Sequence, residues 1–182
     1  MSNILVVIDV QKDFYDPNGA LYVPDGEKVI PEIEKIIPDF DLVLFTADWH
    51  PSDHCSFKEN GGQWPKHCVA FTEGACISSD LISKVNNFNT SNVLVKGVFP
   101  NIEEYGSDKI CKKLFLYNAS SICFVGLAGD YCVKNTIQKV LNDSYLSKLD
   151  LMIYSSGIKS IDGGESLNEF VIENNIKEYV HK

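Results

Sequence analysis

The 182-residue sequence predicts an α/β fold with three layers, a six-stranded and mostly parallel sheet carrying helices on both faces. Three observations carry that expectation. Short runs rich in Val, Ile and Phe recur along the chain. They are nearly continuous and do not alternate with polar residues, as strands buried on both faces require. Stretches with helical patterning separate them, which is the sign of a parallel sheet built from crossover units.

The elements follow in order. NILVVID (3–9) and DLVLFTA (41–47) read as the first two strands. Between them the segment from Gly26 to Ile37 reads as a helix that stops before Pro38, whose ring cannot continue the backbone ladder. SNVLVKG (91–97) and SICFVGLA (121–128) are the next two strands, with helices expected over SSDLISKVNNF, SDKICKKLFLYN and DYCVKNTIQKVLNDS. LDLMIYSS and IKEYV read as the fifth and sixth strands around the helix SLNEFVIENN. The stretch from 51 to 75 has no sustained period and holds Pro, Gly, His and Trp. A structureless loop that long in a compact domain is functional or disordered, and its histidines and aromatics argue for function.

Length suits one domain over 1–182, with the loop at about 48–75 as an insertion, and such a chain buries about 70% of its unfolded surface. The 16 Lys and Arg against 25 Asp and Glu give a formal charge of −9 without like-charge blocks. Neither nucleic acid nor an anionic membrane surface is the expected partner. The first apolar run is short, lacks a basic flank and is broken by Asp9, so it reads as neither signal peptide nor membrane span, and the chain reads as cytoplasmic. Cysteines at 55, 68, 76, 111, 123 and 132 show no regular spacing and are expected to stay reduced.

In open α/β sheets the crevice lies beyond the carboxyl ends of the strands. Those ends here carry Asp9, Asp48 with His50, Lys96, and GLAGDYC. Asp48 and His50 stand two apart, so extended backbone projects both to one side, and His67 across the loop can supply a third ligand. Three protein ligands with open positions mark a working metal site more than a closed structural one. His54 is a fourth candidate that could instead cap the loop or orient a ligand. A closed site using Cys55 and Cys68 is the rival, without the paired spacing that identifies one. His181 reads as a surface histidine. Cys132 opens an amphipathic helix after a Gly-Leu-Ala-Gly turn, where the free N–H groups and the helix dipole favour thiolate and can hold an oxyanion. Its alternative is a small buried apolar residue. Asp9 or Asp13 could equally be a cap in DVQKDF, and Lys96 could be an aliphatic stem reaching water. Together an Asp, a Lys and a Cys closing three strands point to a hydrolase or transferase with a cysteine nucleophile and a metal.

VVIDVQKDF, TADWHPSDHCSF, GGQWPKHCV followed by TEGA, VKG, and GLAGDYCVKNT stand in the order and spacing of one family over the whole chain. In these motifs the sequence resembles the nicotinamidases, isochorismatase-like cysteine hydrolases that also take pyrazinamide. The resemblance implies a triad of Asp9, Lys96 and Cys132, with Asp48, His50 and His67 holding one divalent ion, zinc first and iron or manganese next. It implies a cis peptide between Leu127 and Ala128, an oxyanion hole from the Ala128 and Cys132 N–H groups, and Phe14, Trp64 and Tyr105 around the substrate. The implied reaction turns nicotinamide into nicotinate and ammonia through a thioester on Cys132, in the salvage of pyridine nucleotides. The alternatives are a related cysteine hydrolase acting on another small amide, or a metal-hydroxide hydrolase. Oligomeric state is left open, a homo-oligomer included. Two positions depart from the family pattern. Gly129, where many relatives have Thr, is expected to loosen the turn before the nucleophile. Phe71, where relatives have Gly, resists a positive φ, so the loop is expected to differ locally if that conformation is needed.

Overall fold

The computed structural model describes residues 2–181. Six strands form one sheet: β1 (Ser2–Ile8), β2 (Leu42–Asp48), β3 (Val93–Lys96), β4 (Ala119–Gly126), β5 (Asp150–Ile158) and β6 (Lys177–Glu178). Their order is β3-β2-β1-β4-β5-β6 and all five pairings are parallel, so the sheet is parallel throughout. Continuous apolar sequence is explained by burial on two sides. Ile4, Val6 and Ile8 face one core with Ile110, Leu114, Ile137 and Val140, while Leu5 and Val7 face the other with Val29, Ile33, Ile36 and Leu81.

Helices α1 (Lys12–Tyr15), α2 (Val29–Ile36) and α3 (Ser79–Lys84) belong to the second core. Helices α4 (Asp108–Leu116), α5 (Lys134–Leu141) and α6 (Glu165–Glu173) belong to the first. The element expected from Gly26 to Ile37 is split into a 3₁₀ turn over Gly26–Lys28, α2, and a second 3₁₀ turn over Ile37–Asp39 that accommodates Pro38. The helix expected over 78–88 ends at Lys84, ahead of Asn87 with its left-handed φ of 58°. The chain winds outward from β1 to β3 and then returns beside β1 as β4. That reversal opens a crevice beyond the carboxyl ends of β1 and β4.

Candidate active site

Asp9 follows β1, Asp48 ends β2, Lys96 ends β3, and Cys132 follows β4. Asp48 and Lys96 are register partners on adjacent strands, so pairing alone sets them side by side. The Lys96 ammonium, fully buried, lies 2.9 Å from Asp9 Oδ2, hydrogen-bonds Asp48 Oδ1, and stands 3.6 Å from Cys132 Sγ. Asp9 holds a left-handed φ of 49°, and its Oδ1 accepts from Thr46 Oγ1 at 2.6 Å. One atom each from Asp9, Asp48 and Cys132 fall within 4.8 Å of one another. The expected triad therefore meets in space, with Thr46 as an additional partner that nothing in its own strand motif singled out.

Burial governs the electrostatics. It pushes the Asp9 carboxyl above its ordinary range, against the pull of Lys96. It pushes the Cys132 thiol well up, again against Lys96 and reinforced by the Asp9 charge. For Asp48 burial is outweighed by Lys96 and His50, which hold the carboxyl below the carboxylate range. For Lys96 burial is outweighed by Asp48 and Asp9, which keep the ammonium charged. The expectation of a helix dipole favouring thiolate is corrected here. Cys132 lies in a five-residue π turn, Gly129–Val133, ahead of α5, and desolvation leaves it a resting thiol.

The Leu127–Ala128 peptide is cis. Among the described residues, the Ala128 N–H has no backbone acceptor, and the Cys132 N–H belongs to the turn that follows it. Gly129 sits where space is short. A Cβ there would stand 2.2 Å from Ser160 Oγ and 2.9 Å from Ile158 Cγ2, so the position is tight and Ser160 fills the space a larger side chain would take. Phe71 keeps the left-handed φ, at 65°, and leans edge-on against Trp49 with ring centroids 5.3 Å apart, its side chain 92% exposed.

Asp48, His50 and His67 each offer a ligand atom, and the three lie within 4.8 Å of one another, all buried. His50 Nδ1 donates to the Gly97 carbonyl at 3.0 Å and His67 Nδ1 to the Pro65 carbonyl at 2.7 Å. Each carbonyl fixes the tautomer and leaves Nε2 bare, 3.5 Å and 4.0 Å from Asp48 Oδ2. A carboxylate oxygen and two bare imidazole nitrogens suit a divalent ion. His54 is committed elsewhere: Nε2 faces the Ile102 carbonyl at 3.0 Å and Nδ1 accepts from Ser56, while its ring lies 4.1 Å from that of His50. It braces the His50 ring, and both its nitrogens are taken by protein partners. Cys55 and Cys68 are free thiols outside this cluster, and among the described residues no Cys/His group of ligand geometry includes either.

Cys132 and the Asp48–His50–His67 cluster line one cavity of about 420 Å³ including its mouth, with Asp9 and Lys96 fully buried beside Cys132, and its walls include Phe14, Trp64, Tyr105, Tyr131, Glu103 and Ala128. Trp64 Nε1 and Gln63 Nε2 both donate to the Tyr105 hydroxyl at 2.9 Å. Tyr131 stands edge-on to Trp64, centroids 4.9 Å apart. Sequence reasoning missed Tyr131 and Glu103; adjacency to Cys132 was the available signal for Tyr131.

A parallel α/β sheet with a buried Asp–Lys–Cys cluster at its carboxyl edge, taken with the relatives that share it, defines a hydrolase that acts on amide bonds. The chain belongs to the isochorismatase family, whose domain model matches residues 3–162. It is 30% identical over 189 aligned residues to the nicotinamidase of Acinetobacter baylyi, covering 90% of this chain and 84% of that one. The pyrazinamidase of Pyrococcus horikoshii, solved in complex with zinc, superposes with a TM-score of 0.83 at 32% identity, covering 98% of this chain and 99% of that one. PnC1 from L. infantum, solved with nicotinate, gives 0.86 at 25% identity, covering 98% and 92%.

Proposed function

We propose that this chain is a nicotinamidase: it hydrolyses nicotinamide to nicotinate and ammonia through a thioester on Cys132, with one zinc ion held by Asp48, His50 and His67. The observation that carries the reading is that Cys132, backed by buried Lys96 and Asp9, and the Asp48–His50–His67 cluster line one aromatic-walled cavity. When bound there, the ion supplies a Lewis-acidic anchor for the ring nitrogen of the substrate.

Phe14, Trp64 and Tyr105 confine the flat ring so that its amide carbon faces the sulfur. Burial raises the Asp9 carboxyl above its ordinary range, which favours proton uptake, and it accepts the thiol proton as Sγ attacks the amide carbon. Lys96 keeps its charge beside both groups and offsets the negative charge passing between them. The tetrahedral oxyanion receives the Ala128 and Cys132 N–H groups, and losing one such donor typically costs about 10² to 10³ in rate. Asp9 returns the proton to the departing ammonia. Asp9 then takes a proton from water as it attacks the thioester, and nicotinate leaves with the thiol restored. Pyrazinamide carries the same amide on a similar ring and is the second substrate of this reading.

Acid-quenching the enzyme during turnover of nicotinamide and measuring intact mass tests the covalent route. An acyl adduct that maps to Cys132 is expected. Full turnover by Cys132→Ser or Cys132→Ala without adduct would replace this route with direct attack by water.

A further inference from the structure

DVQKDF supplies more than Asp9 and Phe14. Asp13 does not cap α1, whose N-cap is Gln11 without a side-chain bond. Its carboxylate instead reaches across the chain. Oδ2 accepts from the Cys68 N–H at 2.7 Å, 55 residues away, and Oδ1 accepts from the Ala20 N–H at 3.1 Å. Cys68 follows His67 directly and is held at a left-handed φ of 45°, a conformation a buried non-glycine side chain does not keep unaided. Gln11, also fully buried, grips the other ligand strand. Its Oε1 accepts from the Asp48 N–H at 2.7 Å, and its Nε2 donates to the Asp48 and Ala75 carbonyls at 2.8 Å.

We infer that Asp13 and Gln11 are positioning residues for the ion site: from one turn they fix the backbones that carry His67 and Asp48, and Asp13 does so by holding Cys68 in its left-handed conformation. The inference rests on the metal site proposed above. The geometry explains Gly74 as well, because a Cβ there would stand 2.1 Å from Asp13 Oδ2 and drive the carboxylate off Cys68. Hydrogen-bonded partners behind metal ligands typically set metal affinity by about 10- to 100-fold.

The test is zinc affinity by competition with a chelator, on full-length wild type and variants, with the melting temperature of each metal-free protein measured alongside. Asp13→Ala is expected to weaken zinc binding by roughly 10- to 100-fold. Asp13→Asn, which keeps an acceptor for Cys68, should recover most of the loss. Gly74→Ala leaves every ligand and Asp13 in the sequence, and should weaken binding in the same direction; it carries the test if Asp13→Ala does not fold. Combined with Asp13→Ala it should add little. A variant set with lowered melting temperatures but wild-type zinc affinity would overturn the inference alone, leaving the ion site standing. Wild-type protein that takes up no zinc, iron or manganese would overturn the ion site and the inference with it.

Discussion

Replacing Lys96 by Met tests how far the active site is an electrostatic unit. The ammonium is fully buried, 2.9 Å from Asp9 Oδ2 and hydrogen-bonded to Asp48, and both carboxylates are themselves buried. Methionine conserves much of the volume and removes the charge, so two carboxylates lose their shared cation in a desolvated site. Removing one partner of a buried ion pair costs about 3–5 kcal/mol. For a chain of this length about 1 kcal/mol corresponds to a shift in melting temperature of roughly 2–4 °C, so the metal-free Lys96→Met protein should melt about 6–20 °C below wild type. Adding Asp48→Asn removes one orphaned charge and should recover part of the loss. Stability should also depend on pH. Asp48 has a depressed folded pKa in the wild type, so its contribution is present above the unfolded value near 4 and lost as pH falls through the folded value. In Lys96→Met the carboxyls move upward, and the deficit should narrow as pH falls from 7 to 5. Calorimetric melts of chelator-treated protein across that range provide the assay. A Lys96→Met melting point within about 2 °C of wild type at pH 7 would refute the view that the two carboxylates depend on this cation.

Cys132→Ala should abolish ammonia release while metal content, measured by elemental analysis, stays at the wild-type level, because Cys132 lies outside the proposed Asp48–His50–His67 ion site. Gly129→Ala should destabilise the protein by about 1–3 kcal/mol through overpacking against Ser160, and Gly129→Ala with Ser160→Gly should regain most of it in chemical denaturation. Zinc affinity should rise with pH through the titration of His50. Burial opposes its protonation, but Asp48 outweighs burial and lifts its pKa above the ordinary histidine value. The proton favoured by the metal-free site below that pKa must leave for Nε2 to ligate, so chelator competition at pH 6 and pH 8 should show weaker binding at pH 6.

The strands were legible because both faces of each central strand are buried: Ile4, Leu5, Val6, Val7 and Ile8 form an unbroken apolar run that only a two-sided core explains. The ends of those strands were legible too, since polar residues closing such runs have nowhere to go but the crevice. The edge was harder to place. IKEYV supplies only Lys177–Glu178 to β6, at the sheet margin where one neighbour makes the ladder. Around the site, the roles of Gln11 and Asp13 were hidden because they act over long sequence separations. Gln11 holds Asp48 from 37 residues away and Asp13 holds Cys68 from 55, and no local pattern marks either partner. Cys132 showed the opposite failure. Its sequence context reads as the first turn of an ordinary helix, whereas the π turn and its burial emerge only when β4, α5 and α6 pack together.

Ammonia release from nicotinamide by purified protein, stripped of metal and reloaded with zinc, iron or manganese, addresses the central claim most directly. The account predicts ammonia and nicotinate in equal amounts from the zinc-loaded enzyme, with little from the stripped protein. No ammonia from nicotinamide with any of the three ions, by a folded protein that binds them, would contradict it.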